Sequence, residues 1–174
     1  MPLNDEIVTA AAAFIDSTLQ NEGSWYRATD VHDRFAGALG SYGSSVGAIR
    51  GTVRDAGRKF KNLDHDQVTA LASKLWGMPS ATEPAVYERR LAAIVLLQSR
   101  VMMLLHSDLT RLEGFLRSAR TAELAGPLTE DVVVPLIGGL SGRHRQRADV
   151  VLERWAHDAD TFVRNAARAA AAQD

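Results

Sequence analysis

Apolar residues recur at helical spacing along most of this chain, and the pattern is clearest between residues 64 and 105. After Asp64, apolar side chains return every three or four residues up to Trp76, which is typical of one face of an amphipathic helix. The Gly-Met-Pro run at 77–79 ends that helix, because proline cannot continue the helical hydrogen-bond ladder. A second helix is predicted from Thr82 to Leu105, and it is apolar over so much of its circumference that we expect it to be the most buried.

The rest of the chain divides into helices in the same way. Asp64 is an N-cap residue with Gln67 as its capping-box partner, and serines or aspartates precede several other apolar-periodic segments. The only β-branched run, Val132–Val134, lies inside a helical segment, so strand signals are nearly absent. The other predicted helices are Asp5–Gln20, Ala28–Leu39, Ser45–Phe60, a helix capped by Ser107, a proline-punctuated segment from Thr121, a helix from Arg143, and a last helix capped by Asp160.

These segments predict about 8–9 helices joined by short connectors, which is the pattern of helix pairs stacked in sequence. The fold class is therefore predicted to be all-α, an α-solenoid of HEAT-like antiparallel helix pairs. At 174 residues the chain is long enough to bury a core, and we expect a single domain over residues 1–174.

Composition excludes several classes of site. The chain has no cysteine, so disulfides and thiolate metal sites are excluded, and its five histidines are scattered singly. We therefore expect no metal site and no cofactor. No apolar run is long enough to span a bilayer, and the N-terminal stretch lacks the basic region of a signal peptide, so a cytoplasmic protein without membrane partners is expected.

Two short stretches have more than one interpretation. The Gly-rich run at 40–45 could cradle a phosphate, but no strand precedes it and no GK[ST] follows, so a plain connector between helices is favoured. Trp25 and Tyr26, beside Arg27, could stack on a base; the favoured alternative is an aromatic staple that holds the first helix pair together.

Five segments of the chain together have a pattern that occurs in a known family. They are Leu75-Trp76 with Pro79, Glu88–Ile94, Asp108–Leu116, the Gly-containing loop and Arg-bearing helix from Tyr42 to Phe60, and Glu153–Arg164. These segments resemble the AlkD-type DNA alkylation-repair family, and the resemblance covers nearly the whole chain. It implies HEAT-like repeats that bind duplex DNA in a concave basic groove. The catalytic members of the family excise N3- and N7-alkylpurines.

The family's active-site residues are replaced in this chain. The resemblance aligns the family's tryptophan with Ala122, its catalytic aspartate with Gly126, and its DNA-contacting arginine with Asn165. Cleavage of a glycosidic bond builds positive charge on the sugar, and a carboxylate is the main electrostatic help available there. Glycine supplies none, so alkylpurine excision is predicted to be weakened or lost.

A nearby carboxylate could replace the missing aspartate. Glu123 lies three residues before Gly126 and could face the same side of the segment, although a solvent-facing position is the ordinary one for glutamate. Glu130 and Asp131 follow Thr129 at what the sequence suggests is a helix start, where stabilisation of the helix dipole explains them.

Basic residues form two clusters that could contact DNA phosphates. Arginines at i, i+4 spacing lie on one predicted helix, and three more with His144 crowd the start of another. Phosphate contact would give salt-dependent, sequence-independent binding, whereas neighbouring aspartates and glutamates allow a solvated, ion-paired surface; both interpretations stay open. The candidate DNA-binding residues are Arg50, Arg54, Arg58, Lys59, Arg143, Arg145, Arg147 and Arg164.

Three functions remain open on these grounds. The first is a divergent AlkD-like protein that binds duplex DNA by its backbone or shape, without efficient excision, and associates with the nucleoid. The second is an active glycosylase for alkylated or bulky purine adducts that uses Glu123. The third is a non-catalytic helical scaffold that binds a protein partner.

Overall fold

The computed structural model describes residues 2–172 and shows α-helices throughout that range. A π-helical turn, Thr129–Val133, joins α7 to α8 without interruption, so the ten α-helices form nine continuous segments within the described residues. The all-α prediction is confirmed. The helices are α1 (Pro2–Asn21), α2 (Trp25–Arg34), α3 (Val46–Lys59), α4 (His65–Trp76), α5 (Tyr87–Ser99), α6 (Leu109–Ser118), α7 (Ala122–Leu128), α8 (Val134–Gly139), α9 (Gly142–Ala156) and α10 (Thr161–Ala171).

The chain divides into two compact units, Met1–Ser99 and Arg100–Asp174, which we call unit 1 and unit 2. In unit 1, α4 and α5 form a closely packed pair, and α1 packs against both of them and against α3. In unit 2, α9 and α10 form a pair, and α10 also packs on α6, α8 and the π turn. Within residues 2–172 no helix combines the length and the apolar character that crossing a membrane requires.

Helix α5 is the most buried element of unit 1, as its apolar circumference predicts. Nine of its thirteen residues are buried, and three of those nine are the charged residues Glu88, Arg89 and Arg90. Arg89 donates to Asp16 on α1 at 2.6 Å and to the Lys74 carbonyl at 2.8 Å, while Arg90 donates to the Trp76 carbonyl at 3.0 Å. The two arginines thus satisfy carbonyls at the C-terminal end of α4, which have no partner within the helix.

The Gly-rich loop at 40–45 binds a carboxylate of the protein itself. Glu88 accepts hydrogen bonds from the backbone N–H groups of Tyr42 and Gly43, both at 3.0 Å, and from the Ser41 hydroxyl at 2.5 Å. Gly43 has φ +77°, and a Cβ there would lie 2.0 Å from the Ser24 carbonyl oxygen, so only glycine fits. The loop is a helix connector, and the amide donors of Tyr42 and Gly43 are already bound to Glu88, which argues against the phosphate-loop interpretation.

A charged network ties α6 to α9 in unit 2. Glu113 accepts hydrogen bonds from Arg117 at 2.7 Å, from the indole Nε1 of the fully buried Trp155 at 2.8 Å, and from Arg154. Arg117 also donates to both oxygens of Asp158, at 2.8 and 2.5 Å. Glu113, Arg154 and Asp158 belong to two segments that carry the family resemblance, and the contacts of these three residues are structural.

Side-chain caps begin the helices where the sequence predicts them. Ser45 accepts from the Ala48 N–H, Asp64 and Gln67 form a complete capping box, and Asp160 accepts from the first turn of α10. Ser107 is not a cap, because it lies inside the 3₁₀ turn His106–Asp108 that precedes α6.

Four predicted boundaries are wrong. Helix α2 begins at Trp25 rather than Ala28 and ends at Arg34 rather than Leu39, since Ala36 and Gly37 have positive φ angles. The second helix of the central pair begins at Tyr87 rather than Thr82. It ends at Ser99 rather than Leu105, where 3₁₀ turns replace the expected helical continuation.

Candidate functional site

Unit 2 contains a half-open cavity between α7, the π turn and α10. Its volume is about 290 Å³. The three positions that the family resemblance assigns to active-site residues, Ala122, Gly126 and Asn165, all line it. The remaining lining residues are Ala125, Thr129, Glu130, Phe162 and Ala169.

Small side chains keep this cavity open. Ala122, Ala125 and Gly126 present at most a methyl group on the α7 side, and Ala169 does the same on α10. A Cβ built on Gly126 would meet no other heavy atom within 4 Å. The position therefore has free space for a larger side chain, and its glycine is not required by crowding.

The polar groups of the cavity come from both of its walls. Thr129 is buried, whereas Glu130 and Asn165 are exposed at the rim. Phe162 is half-buried and supplies the one aromatic ring among the lining residues. The cavity thus combines a carboxylate, a hydroxyl, an amide and an aromatic face, and it has no cationic side chain in its lining.

The π turn explains how Glu130 reaches this cavity. The Val134 N–H donates to the Thr129 carbonyl five residues earlier, so the helix continues through Thr129 and does not begin there. The interpretation of Glu130 as a residue at a helix start is therefore wrong. Pro127 precedes the turn by two residues, and a proline inside a helix removes one ladder hydrogen bond and favours such irregularities.

Glu123 is exposed in the first turn of α7 and is not among the cavity-lining residues. Its predicted catalytic role stays a prediction, but Glu130 is the carboxylate that shares the cavity with Gly126. Arg164 lies beside Asn165 and donates to the carbonyls of Asp158 and Ala159, at 2.5 and 2.7 Å. Its guanidinium therefore fixes the connector between α9 and α10.

The candidate DNA-binding arginines of unit 1 lie on α3. Arg50, Arg54 and Arg58 are all exposed at i, i+4 spacing. Arg58 pairs with Asp55 at 3.3 Å and Arg54 approaches the same carboxylate at 4.0 Å. Ion pairs this exposed contribute only about 0–1 kcal/mol, so they do not prevent contact with a stronger anion. Lys59 lies over an aromatic ring instead, 4.6 Å from the centre of Phe14.

The second cluster lies in the first turns of α9. Arg143 and Arg147 are exposed, whereas Arg145 pairs with Asp149 at 2.8 Å. His144 contacts His106, and their Nδ1 atoms are 2.9 Å apart, so one imidazole donates a hydrogen bond to the other. This pair was not visible in the sequence, where the two histidines are 38 residues apart. No group of three metal-binding side chains occurs in the part of the chain that the structure describes.

The aromatic residues at the start of α2 are on the surface. Trp25 is 81% exposed and Tyr26 is 57% exposed, so the aromatic-staple interpretation is wrong. Arg27 lies over the Tyr26 ring and donates to the Gly43 carbonyl at 2.7 Å, which attaches α2 to the Gly-rich loop. The two exposed rings stay available to a ligand.

Sequence reasoning missed Glu130 and Phe162 as cavity residues, although their spacing contained the signal. Ala122, Gly126 and Glu130 follow one another at i, i+4, i+8, and Phe162 precedes Asn165 by three residues. Residues at such spacing share one side of a helix. Treating Thr129 as a helix start hid this relation.

Comparison with known proteins agrees with the resemblance found in the sequence. A sequence model of the DNA alkylation repair enzyme family matches residues 15–173, which is most of the chain. No curated protein and no solved structure is significantly similar to it. Because the match includes both units and the cavity-lining positions, the chain belongs to the DNA alkylation repair enzyme family.

Proposed function

We propose that this protein binds duplex DNA through its exposed arginines and has lost the family's excision of alkylated purines. One observation carries the second part of the proposal: the cavity where the resemblance locates the active site has glycine at the position of the catalytic aspartate. The tryptophan and arginine positions are Ala122 and Asn165, so none of the three side chains that the resemblance assigns to the family's active site is present at its own position.

The arginines of α3 and α9 support the DNA-binding part. Arg50, Arg54 and Arg58 form an exposed row on α3, and Arg143 and Arg147 are exposed at the start of α9. The net charge of −1 gives the whole molecule no general attraction to DNA, so binding has to come from local clusters such as these. Contacts of this kind recognise the phosphate backbone and carry no sequence information.

A salt titration with a labelled duplex tests the binding. We expect micromolar or tighter affinity at low salt, and a logarithm of affinity that falls linearly with the logarithm of salt concentration. Replacing both Arg50 and Arg54 by Ala should reduce the slope by about 0.9 for each lost phosphate contact. The matched control is Arg34→Ala, which removes a positive charge from α2 and should leave the slope unchanged. Absent binding, or an affinity that does not change with salt concentration, would contradict the proposal and favour a protein partner.

A single-turnover assay with 7-methylguanine in duplex DNA tests the loss of excision. With protein in excess, we expect the wild type to bind the duplex and release no base. The variant Gly126→Asp returns a carboxylate to a position with free space around it, and we expect it to release base faster than the wild type.

A second candidate function is supported by Glu130, which lines the cavity four residues after Gly126. An active glycosylase could use this carboxylate in place of the missing aspartate. The same assay decides, because release by the wild type that disappears in Glu130→Gln but persists in Glu123→Gln would identify Glu130 as the catalytic residue. The reverse pattern would identify Glu123.

A further inference from the structure

Two histidines of unit 2 meet where α9 packs on the 3₁₀ turn that precedes α6. The Nδ1 atoms of His106 and His144 are 2.9 Å apart, and the centres of their rings are 4.9 Å apart. His144 is exposed and His106 is half-buried, so solvent reaches the pair. The expectation that the chain has no metal site depended on histidines that are scattered singly in the sequence, and folding brings these two together.

The backbone on both sides of this pair is held in place. The 3₁₀ turn packs on α6 and on α9. The buried Asp108 carboxylate accepts from the Leu105 N–H at 2.7 Å, which fixes the turn that carries His106. On α9, Ala148 is buried one turn after His144 and anchors that side. Ligands carried by packed elements lose little freedom on binding, so the two imidazoles are preorganised for a shared partner.

We infer that His106 and His144 form a two-nitrogen binding site for copper(II). Imidazole nitrogen is a common ligand of copper, nickel and zinc. With a metal–nitrogen distance of about 2.0 Å, neighbouring ligands are about 2.8 Å apart in a square-planar site and roughly 3.3 Å apart in a tetrahedral one. The observed 2.9 Å matches the square-planar arrangement, which copper(II) and nickel(II) favour, and copper(II) is the tighter binder of the two.

The same separation also serves the hydrogen bond between the two rings, in which one Nδ1 donates and the other accepts. A metal ion needs the lone pairs of both Nδ1 atoms. The donor ring must therefore carry its proton on Nε2 instead, a change of tautomer that releases no proton. Water completes the coordination, since no group of three metal-binding side chains occurs among the residues that the structure describes.

The arginines near the pair oppose a cation without excluding it. Arg145 is paired with Asp149 at 2.8 Å, whereas Arg143 and Arg147 are exposed in the same turns of α9. The N-terminal end of the helix adds repulsion of the same sign. Repulsion between exposed charges is screened within about 8 Å at physiological ionic strength. We therefore expect copper affinity to rise slightly with salt, which is the opposite of the salt dependence of phosphate binding.

The test titrates the full chain, without an affinity tag, with copper(II) chloride at neutral pH. We expect one copper ion per chain with micromolar or tighter affinity by calorimetry, and an electron paramagnetic resonance spectrum of a tetragonal ion with two equatorial nitrogens. His106→Gln and His144→Gln should each weaken binding by about a hundredfold, the lower end of the gain that two linked ligands provide. Each variant should retain at most one of the two nitrogens.

His157→Gln is the matched control, because His157 is an exposed histidine of the same unit and lies 3.8 Å from the Glu153 carboxylate. This variant should leave the copper affinity and the spectrum unchanged, and circular dichroism should show that all three variants keep their helix content. Four results would overturn the inference: no copper binding at micromolar concentration, binding that His144→Gln leaves intact, a wild-type spectrum with a single nitrogen, or zinc binding as tight as that of copper, which would indicate a tetrahedral site.

Discussion

Glu88 shows how one buried carboxylate determines the conformation of a loop 45 residues away in sequence. It is fully buried, and three donors of the Gly-rich loop converge on its two oxygens. Hydrogen bonds to a charged group are stronger than those between neutral groups. The local sequence of the loop does not reveal this partner, so its pattern alone also allowed a phosphate site.

The variant Glu88→Gln should therefore destabilise unit 1. The amide keeps the shape of the side chain, but its NH₂ group faces donors of the loop and leaves at least one of them unsatisfied. We expect a loss of about 1–3 kcal/mol in the free energy of unfolding, measured by urea denaturation. The exposed substitution Glu22→Gln is the control, and equal effects of the two would contradict the role of Glu88.

The variant Gly43→Ala tests the close approach of the same loop to the first helix connector. An alanine Cβ would lie 2.0 Å from the Ser24 carbonyl oxygen, and the φ of +77° is itself unfavourable for alanine. We expect a loss of at least ~1–2 kcal/mol in thermal or urea unfolding. Gly47→Ala is the matched control, because there the added Cβ would meet only the Ser45 side chain, at 3.9 Å.

Asp158 gives the stability of unit 2 a dependence on pH. The hydrogen bonds from Arg117 and from the Asp160 backbone N–H lower the pKa of Asp158 from 3.8 to about 2. The pKa of Asp158 is lower in the folded protein than in the unfolded chain, so the ionised carboxylate stabilises the fold at pH values above the unfolded pKa. This contribution to the free energy of unfolding is lost as the pH falls from about 4 to 2. In thermal unfolding, the difference between the wild type and Asp158→Asn should therefore shrink over this range. A difference that is constant with pH would contradict this explanation.

Glu113 is the second carboxylate of the same network. Burial raises the pKa of Glu113, but hydrogen bonds from Arg117 and Trp155 and the charges of Arg154 and Arg117 outweigh that effect, so its pKa is lowered overall. Its ionised form also stabilises the fold, with the same direction of pH dependence. Glu113 and Asp158 both lie in segments that carry the family resemblance. The sequence analysis did not predict that Arg117 would pair with both of them.

At the level of helices, starts were predictable where a side chain caps the first turn. The Asp64 capping box depends on residues only three positions apart, so the local sequence contains all that is needed. The start of α5 is different. Gly40 and Val86 form an isolated parallel β-bridge. In it the Gly40 N–H donates to the Ala85 carbonyl at 2.8 Å, and the Gly40 carbonyl accepts from the Tyr87 N–H at 2.9 Å. The helix begins after this long-range contact, at Tyr87, despite the cap-like Thr82.

The capping box makes a quantitative prediction for α4. In Asp64→Ala the Gln67 N–H loses its side-chain acceptor, and caps of this kind contribute about 1 kcal/mol. We expect that loss in the free energy of urea unfolding. Asp66→Ala is the matched control, since Asp66 is an exposed aspartate of the first turn that does not cap the helix. A larger loss in Asp66→Ala would mean that the interaction of a first-turn carboxylate with the helix dipole, rather than the Asp64 cap, is what stabilises the start of α4.

The π turn marks the limit of prediction for the cavity. Helical spacing correctly relates Ala122 to Gly126, but the sequence gives no sign that the helix continues past Pro127 into a π-helical turn. The resemblance supplied three of the cavity residues through the family's active-site positions. Helical spacing also relates Glu130 to Gly126 and Phe162 to Asn165, but packing rather than local pattern decides that these two helix faces meet around one cavity.

For the molecule as a whole, fold class was predictable because helical periodicity repeats in segment after segment, and the functional surface was not. Charge clusters can be read from the sequence, but their ion pairs and exposure cannot. Arg50, Arg54 and Arg58 form an exposed row on α3, whereas the guanidinium of Arg164, also a candidate DNA-binding residue, is bound to backbone carbonyls. The division into two units, each with its own core, was likewise not signalled by any linker composition.

The three tryptophans give this protein an optical signal that can be assigned by environment. Trp76 and Trp155 are 4% and 0% exposed, one in each unit, whereas Trp25 is 81% exposed. An aqueous quencher such as acrylamide should therefore remove only the red-shifted emission of Trp25, and Trp25→Phe should abolish that quenchable fraction. The remaining blue-shifted emission comes from one chromophore per unit. Comparing Trp76→Phe with Trp155→Phe during denaturation would then show whether the two halves of the chain melt together or in succession.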